Sequence, residues 1–504
     1  MARFSLVGAI SMCYAPLIML SYHHFRRLLF WTFVLGFFMT ASLVLFFAFG
    51  YRFNFDRGIF VYSGSVTVKS IPENVSITVD GELLPTQRLG ILNNSIHVAG
   101  LMPGEHFIEV SAPGYRSWGK KAIVQSGRST EFWNVLLTEE SYAFETIAGS
   151  TGSVKAFPEP GGTLIVLVKR SESSTSIVVY DRDTKTSHEV FASASYGFDP
   201  ASYENIEWSP DGKRLILPLT SDGKIEPMIV TLETGETTLL RDLWRATRIM
   251  GVRWDPGERY TLLFLADDNL YRLNLESDRS TELLVGKVKA YDISGSFIYI
   301  ARLEDGSVLR FRQGTLAETL TQVTLSPPAS PSETPASLIV YDNDRLALLE
   351  RGGERRLFVY NAASKKNYGF QELGSNVSGV QFSNDGKKLL FFSKNEMDVY
   401  FTRAWEVQPE RQENSTAQIA RFSDPIDNIQ WTEDYEHVLF NRGKDVKMIE
   451  LDNRDRRVIS DIVTLSVVPT QIVPLFSDNL LFFVQPGIDT ASIIFPATQG
   501  LFGL

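Results

Sequence analysis

Four segments of this chain share one pattern, and this repeat constrains the fold more than any other feature. Each segment is a short apolar strand that ends in an aromatic residue, followed by a polar turn and a second apolar strand. The segments are IEWSPDGKRLILPL from Ile206, VRWDPGERYTLLFL from Val252, VQFSNDGKKLLFFS from Val380 and IQWTEDYEHVLFNR from Ile429. Trp208 and Trp254 are 46 residues apart, and Phe382 and Trp431 are 49 apart. A period in the forties with several strands per unit predicts the blades of a β-propeller.

Weaker copies of the pattern fill the intervals between these segments. They are Val154 to Val168 around Phe157, Val288 to Ala301 around Tyr291, Leu338 to Leu349 around Tyr341, and Ile472 to Val484 around Phe476. Residues 140–504 therefore predict a propeller of eight units of about 45 residues each, with seven blades as the alternative. We expect Tyr142 to Ile147 to complete the final blade and close the ring, which removes exposed sheet edges. The Pro- and Ser-rich segment from Leu325 to Ser337 is expected to be an exposed loop between blades.

The turn of the first segment carries a family resemblance. Its sequence, Ser209-Pro210-Asp211-Gly212-Lys213, resembles the repeated turn of periplasmic TolB-type propellers and of the propellers of prolyl-oligopeptidase relatives. The resemblance implies the fold and says almost nothing about a substrate. Oligopeptidase propellers act beside a serine hydrolase domain, but this sequence contains no Gly-x-Ser-x-Gly elbow.

An uncharged run near the amino terminus predicts a membrane span. Residues 28–50 (LLFWTFVLGFFMTASLVLFFAFG) are long enough, at about 1.5 Å per residue, to cross a hydrocarbon core of about 30 Å. The alternatives are a buried core helix, disfavoured because apolar residues occupy every face, and a long signal sequence cleaved after Gly50. His23, His24, Arg26 and Arg27 precede the run, so the positive-inside bias predicts a cytoplasmic tail over residues 1–27 and the bulk of the chain outside the cytoplasmic membrane.

Two further features of this region leave that topology unchanged. The apolar stretch from Ser5 to Tyr22 is either a second span or sequence upstream of a start at Met19. Cys13, the only cysteine, follows Met12 where a lipoprotein signal wants a small residue, so lipidation is not expected. One cysteine also excludes an internal disulfide framework and a Cys-based metal site.

Residues 63–138 predict a small β-sandwich. Val66 and Val68 alternate with polar residues, as do Val75, Ile77 and Val79, and Asp80-Gly81 is a tight-turn dipeptide. The segment resembles the PEGA domain, a small sandwich of bacterial surface and envelope proteins. The motifs are Pro72-Glu73-Asn74-Val75, Val79-Asp80-Gly81, Leu101 to His106, and Gly114-Tyr115, with Asn74 and Val75 replacing the family's Gly and Ala. The resemblance implies a non-catalytic adhesion or spacer module, in which His106 is expected to cap or pack locally.

Composition and motifs argue against several functional classes. The formal charge is −10, with 49 Lys and Arg against 59 Asp and Glu, so binding to a nucleic-acid backbone is not expected. His188-Glu189 begins a zincin-like pair that Ala192 fails to complete. Asp181 and Asp183 begin a calcium loop that lacks its glycine at Thr186. No P-loop or dinucleotide fingerprint occurs. From these motifs we expect no catalytic, cofactor-binding or metal-binding residues and no cofactor.

The sequence as a whole predicts a mainly β protein with one span, a PEGA-like sandwich and a TolB-like propeller. Its expected function is a membrane-anchored, extracytoplasmic binding or scaffold protein of the bacterial cell envelope, not an enzyme, whose partner is cell-wall glycan or an envelope protein. One alternative is a glycan-acting hydrolase that uses carboxylates in the propeller funnel. The other is an envelope sensor, disfavoured because the short cytoplasmic tail cannot form a signalling domain.

Overall fold

A computed structural model describes residues 15–54, 58–89, 94–199, 202, 204, 206–276, 280–303, 307–312, 318–319, 336–362 and 370–495. Cys13 and residues 325–335 of the predicted interblade loop lie outside these residues. The chain divides into two compact units. The first contains Met1–Lys69, Ile77–Ile108 and Lys121–Phe132, and the second contains Ser70–Ser76, Glu109–Lys120 and Trp133–Leu504.

One long helix opens the described chain, from Ala15 to Ala48. Its segment His23–Ala48 is long and apolar enough to be a candidate membrane span, and none of that surface is buried. The helix thus starts upstream of the predicted Leu28 and stops before the predicted Gly50. It stops there because Gly50, at φ 87°, turns the backbone into a short hairpin formed by Tyr51–Asn54 and Ile59–Tyr62.

Two four-stranded antiparallel sheets follow and form the predicted sandwich. Their strands, in sheet order, are Ser129–Leu136, Gly64–Ile71, Ser95–Leu101 and Gln87–Leu89 in one sheet, and Glu82–Leu83, Ser76–Val79, Gly104–Ser111 and Trp118–Val124 in the other. Val66, Val68 and Ile77 are fully buried, as the alternation predicted. Asp80 and Gly81 both have positive φ, the geometry of a two-residue hairpin turn between Ser76–Val79 and Glu82–Leu83.

The described chain after residue 144 forms eight successive antiparallel sheets, named blades 1 to 8 here. Each has four strands except blade 2, which has an additional short one. The strands are Ser153–Pro158, Leu164–Arg170, Thr175–Asp181 and Thr186–Ser193 in blade 1; Gly197–Phe198, Glu207–Trp208, Arg214–Ser221, Lys224–Thr231 and Thr237–Leu239 in blade 2; Ile249–Trp254, Thr261–Ala266, Asn269–Asn274 and Thr281–Gly286 in blade 3; Val288–Ser294, Phe297–Arg302, Val308–Phe311 and Glu318–Thr319 in blade 4; Ala336–Val340, Arg345–Glu350, Leu357–Asn361 and Phe370–Gly374 in blade 5; Gly379–Phe382, Lys388–Phe392, Glu396–Phe401 and Ser415–Arg421 in blade 6; Asp427–Trp431, His437–Arg442, Asp445–Glu450 and Ile459–Thr464 in blade 7; and Gln471–Leu475, Leu480–Val484, Ala491–Ile494 and Glu145–Thr146 in blade 8. Two short helical segments are present: Leu240–Leu243 follows the last strand of blade 2, and Phe476–Asp478 lies between the first two strands of blade 8.

The last strand of blade 8 comes from the start of the propeller sequence. Glu145 pairs with Ser492 and Thr146 with Ala491, and the amide of Ile147 donates to the carbonyl of Thr490 at 2.9 Å. The prediction that Tyr142 to Ile147 completes the final blade is thereby confirmed. This pairing closes the ring, because the end of the chain is tied to its beginning.

Eight hydrophobic clusters hold the blades together, one between each successive pair and one between blades 8 and 1. In the second strand of blade 1, Ile165 and Leu167 pack toward blade 8, whereas Val166 and Val168 pack toward blade 2. Because successive side chains of a strand point to opposite faces, a strand buried on both faces is apolar at every position. This explains the unbroken apolar runs of the repeat.

The polar turn of the repeat has a common hydrogen-bonding device. Ser209 Oγ and Ser383 Oγ each donate to an aspartate two residues later at 2.6 Å, and Thr432 Oγ1 does the same at 2.5 Å. Gly212 and Gly386 then adopt positive φ, a conformation that glycine tolerates best. This chemistry reverses the chain between the first and second strands.

Candidate functional site

The first strands of five neighbouring blades, together with residues beside them, line one cavity of about 550 Å³. We call it the axial cavity, since first strands from blades 1 to 5 converge on it. Its polar lining residues are Glu204, Glu207, Arg253, Tyr291, Asp292, Ser337 and Arg351. Charged side chains from blades 2 to 5 meet there.

The repeat itself places two of these charges. Glu207 and Arg253 each stand directly before the repeated aromatic residue, and Gln381 and Gln430 hold the same position in blades 6 and 7. Because successive side chains of a strand point to opposite faces, the residue before the aromatic one points to the other face of the blade. The sequence analysis singled out the aromatics and missed the residue before them, although the alternation within the repeat was sufficient to find it.

Arg253 joins two carboxylates at the cavity wall. Its Nε lies 3.0 Å from Glu207 Oε1, and its Nη1 lies 3.0 Å from Asp292 Oδ1. Burial opposes the charged guanidinium, but Glu207 and Asp292 outweigh burial and raise the pKa of Arg253. Burial also raises the pKa of the Glu207 carboxyl, and Arg253 counteracts part of that shift. The three groups form an ion triad of two carboxylates and one guanidinium that spans blades 2, 3 and 4.

The same carboxylates also bind backbone amides of the next blade. Both oxygens of Glu204 accept from the amide of Gly251, at 3.0 and 2.9 Å. Glu207 Oε2 accepts from the amide of Trp254 at 3.1 Å, and Asp292 Oδ2 accepts from that of Val340 at 2.8 Å. Each carboxylate therefore fastens the first strand of the following blade.

Blades 6 to 8 use glutamine for the same purpose. Gln381 Oε1 accepts from the amide of Trp431 at 3.3 Å, and Gln471 Oε1 accepts from that of Ala156 at 2.7 Å. Gln430 Nε2 donates to the carbonyl of Ile472 at 3.0 Å. This side-chain contact to the backbone of the following blade thus recurs in blades 2, 4, 6, 7 and 8, and among these contacts a carboxylate makes it in blades 2 and 4.

Two further groups complete the polar wall of the axial cavity. The Tyr291 hydroxyl contacts the carbonyl of Gly251 and lies 2.9 Å from that of Leu263, and burial raises its pKa well above the ordinary value. Tyr291 is therefore a hydrogen-bond donor at neutral pH. Arg351 donates through Nε to Ser337 Oγ at 2.8 Å. Because the wall carries both signs of charge, it suits a polar ligand with donors and acceptors.

The histidines are dispersed over separate local contacts. His106 Nδ1 lies 2.6 Å from Asp80 Oδ2 and its Nε2 lies 2.6 Å from the carbonyl of Met102, which confirms its predicted local role. His97 contacts Thr67, and His437 contacts Asp434. Across the described ranges, no three His, Cys, Asp or Glu side chains are grouped so that they could hold a metal ion.

The two incomplete motifs lie on blade 1. His188 and Glu189 are neighbours on its exposed outer strand, so their side chains point to opposite faces instead of sharing a helix face. Asp181 ends the third strand, and its Oδ1 accepts from the amide of Asp183 at 2.9 Å, as in an ordinary polar turn. Asp181 thus belongs to a polar turn, whereas His188 and Glu189 belong to a strand.

The repeated tryptophans pack between blades. Trp254 and Trp431 are buried, and their indole N–H groups donate to the carbonyls of Glu207 and Gln381 in the preceding blade, at 3.2 and 3.1 Å. Trp208 is half-buried against the cluster between blades 1 and 2. These three residues therefore have a structural role between blades.

Comparison with known proteins adds one domain assignment. The PEGA domain model matches residues 63–139, which confirms the resemblance found in the sequence. None of the curated proteins matches this chain. The solved structures to which it is similar include the C-terminal WD40 domain of Sif2, with 11% identity over 70% of this chain and 99% of that one and a TM-score of 0.47. The propeller of Dos1 has 11% identity over 71% and 96% of the two chains and a TM-score of 0.47. A structure from work on two prolyl endopeptidases has 11% identity over 64% and 52% of the chains and a TM-score of 0.38.

Proposed function

We propose that this chain is a membrane-anchored binding protein of the bacterial cell envelope, and that the axial cavity is its recognition site. The observation that carries the proposal is the cavity of about 550 Å³, walled by charged groups from successive blades. A cavity of this size with few convergent polar groups is typical of small-ligand or side-chain recognition. Its partner is a cell-wall glycan or an envelope protein that inserts a polar group.

The anchor and its orientation support the envelope location. The exposed apolar helix surface over His23–Ala48 requires a nonaqueous environment. The basic residues Arg26 and Arg27 lie at its amino-terminal end, so the positive-inside bias keeps that end in the cytoplasm. The sandwich and the TolB-like propeller then lie on the outer side of the cytoplasmic membrane. A PEGA-type module is consistent with that location.

The state of the carboxylates favours binding over hydrolysis. A general acid or nucleophile must reach the substrate with an available oxygen. Both carboxylate oxygens of Glu204 accept hydrogen bonds from the amide of Gly251. Glu207 and Asp292 form ion pairs with Arg253 and accept hydrogen bonds from backbone amides. These contacts give the carboxylates a bracing role. We therefore propose that the protein retains its partner without turning it over.

The test measures retention of isolated cell-wall glycan and of solubilised envelope proteins by the full chain in lipid nanodiscs. The variant Arg351→Ala with Glu204→Gln removes one positive and one negative charge from the cavity wall, and the control variant Lys224→Ala with Glu172→Gln removes one charge of each sign at exposed positions. We expect the first variant to weaken binding about tenfold or more, since a hydrogen bond to a charged group contributes about 1.5–3 kcal/mol. The control should bind as the unmodified chain does.

The same assay distinguishes the hydrolase alternative. Release of reducing sugar or peptide is scored together with retention. Turnover that disappears on Glu204→Gln or Asp292→Asn, but persists in the control variant, would establish the hydrolase and overturn the proposal. Equal binding by all variants would show that the axial cavity is not the recognition site.

A further inference from the structure

The hairpin that follows the helix concentrates aromatic side chains on one face. We call the strands Tyr51–Asn54 and Ile59–Tyr62 the aromatic hairpin. Tyr51 pairs with Tyr62 and Phe53 with Phe60, so four rings share one face. The paired ring centroids are 5.3 and 5.2 Å apart. A two-stranded hairpin by itself is marginally stable in water, so its environment matters.

The aromatic hairpin lies beside the last turn of the helix. The ring of Phe46 stacks on Phe60 with centroids 5.4 Å apart and meets Tyr51 edge-on at 5.5 Å. Phe46 stands two residues before the helix ends at Ala48, about 3 Å along the axis at 1.5 Å per residue. The hairpin therefore folds back to the level at which the candidate span ends.

Arg52 fixes this arrangement with a charge. Its Nη1 donates to the carbonyls of Phe47 and Tyr51, each at 3.1 Å, and its guanidinium lies 4.9 Å from the centre of the Phe47 ring. A cation at the carboxyl end of a helix is favourable, and arginine near a span end places its charge at the headgroup level. The charge marks the boundary between hydrocarbon and water.

Exposed apolar side chains occur at the end of the helix and on both faces of the aromatic hairpin. Phe46 and Phe49 at the helix end are 46% and 68% exposed, and Phe60 and Tyr62 on the ring-bearing face of the hairpin are 41% and 45% exposed. Ile59, on the opposite face of the hairpin, is 50% exposed. Exposed apolar surface thus lies both on the candidate span and on the hairpin beside its end. Aromatic rings with an adjoining arginine are the side chains that favour the membrane interface.

We propose that the aromatic hairpin is an interfacial element that inserts into the headgroup region of the same bilayer, beside the end of the span. The occupant of its apolar surface is lipid, not a protein partner. The inference rests on the membrane anchor in the proposed function and adds to it a second, peripheral contact. That contact would set the depth and tilt of the helix, because a span anchored at its end cannot slide freely along the membrane normal.

The test uses spin labels on the full chain in vesicles of phosphatidylethanolamine and phosphatidylglycerol. Cys13→Ser removes the only cysteine, and single labels then follow at Ile59→Cys, Leu35→Cys and Ser173→Cys. These positions are exposed on the aromatic hairpin, the middle of the span and a polar turn of blade 1, respectively. Collision with oxygen reports lipid, and collision with a water-soluble nickel complex reports water.

We expect the Ile59 label to lose nickel accessibility and gain oxygen accessibility relative to the Ser173 label, while the Leu35 label is inaccessible to nickel. A protected Leu35 label with an Ile59 label as water-accessible as that at Ser173 would overturn this inference and leave the anchor intact. A water-accessible Leu35 label would overturn the anchor itself. Protection at Ile59 that disappears as lipid is added in excess over protein would identify a second copy as the occupant and would also overturn the inference.

Discussion

Lys120 is completely buried in the second compact unit, whereas its neighbour Lys121 is exposed. Lys120 Nζ lies 2.5 Å from Glu450 Oε1 and donates to the carbonyl of Asp452 at 2.7 Å. Glu450 also accepts from the indole of Trp118 at 3.0 Å and from the amide of Val458 at 2.8 Å. Burial raises the pKa of the Glu450 carboxyl, and Lys120 opposes that shift. Removing one partner would leave the other charge buried and uncompensated.

We predict that Lys120→Met destabilises the protein by about 3–5 kcal/mol, the range for a buried ion pair that loses one member. The matched control is Lys121→Met. Lys121 pairs with Glu105 at 2.8 Å, with both side chains more than half exposed, so its loss should cost about 0–1 kcal/mol. Denaturant unfolding of both variants provides the measurement. Equal midpoints would show that the buried pair contributes no more than the surface pair.

His437 and Asp434 form a buried pair in blade 7, with Nδ1 2.7 Å from Oδ2. Burial raises the pKa of Asp434, but His437, Thr432 and the amide of Glu436 outweigh it and lower the pKa to about 2. Burial lowers the pKa of His437, but Asp434 outweighs burial and raises it above 6.5. The contribution of His437 to the free energy of unfolding is therefore complete below pH 6.5, and it is lost as pH rises through the higher pKa of the folded state. The contribution of Asp434 to the free energy of unfolding is present above pH 3.8, and it is lost as pH falls toward about 2.

From these signs we predict that His437→Gln destabilises the protein most between about pH 4 and pH 6.5, and progressively less at alkaline pH. The measurement is the difference in thermal midpoint between the variant and the unmodified chain, taken from acidic through alkaline pH. His188→Gln, at an exposed position of blade 1, is the control and should show no comparable pH-dependent difference. A difference for His437→Gln that grows with pH would contradict the assignment.

The blade is the element in which sequence and structure correspond best. The aromatic position, the polar turn and the two apolar strands were all predictable, because each depends on contacts within about 15 residues or on alternation. The charged triad was not predicted, since Arg253 and Asp292 are 39 residues apart and meet only when blades 3 and 4 are side by side. The helix ends at Ala48, two residues before the predicted end at Gly50, because hydropathy alone does not indicate the backbone turn at Gly50.

At this scale we predict a graded effect of removing the repeated tryptophans. Trp254→Ala and Trp431→Ala should each cost about 3–5 kcal/mol, because a buried indole and its hydrogen bond to the preceding blade are lost. Trp208→Ala should cost less, since its ring is half-buried and its indole nitrogen has no hydrogen-bond partner. Chemical denaturation gives the order. If Trp208→Ala lowered the free energy of unfolding as much as the other two variants, burial of the ring would not determine its contribution to stability.

At the scale of the whole molecule, the one candidate span found in the described residues has basic residues at its amino-terminal end. We predict that a reporter active only outside the cytoplasm is active when fused after residue 140, and that a reporter requiring the cytoplasm is inactive there. Replacing Arg26 and Arg27 with glutamate should reduce the difference in activity between the two reporters, because it weakens the positive-inside bias. Replacing Arg241 and Arg245, which lie in the propeller sequence, is the control and should leave it unchanged. The reverse pattern of reporter activity would invert the proposed topology.

The strand shared between the two ends of the propeller has a kinetic consequence. Ser492 and Glu145 are 347 residues apart, so at a synthesis rate of about 5–20 residues per second the early strand waits roughly 20–70 s for its partner. Throughout that interval the growing ring has an unpaired edge that can join another chain. Pairings so distant in sequence also make folding slow. The propeller sequence thus stays open to aggregation through this edge until its last strands have been made.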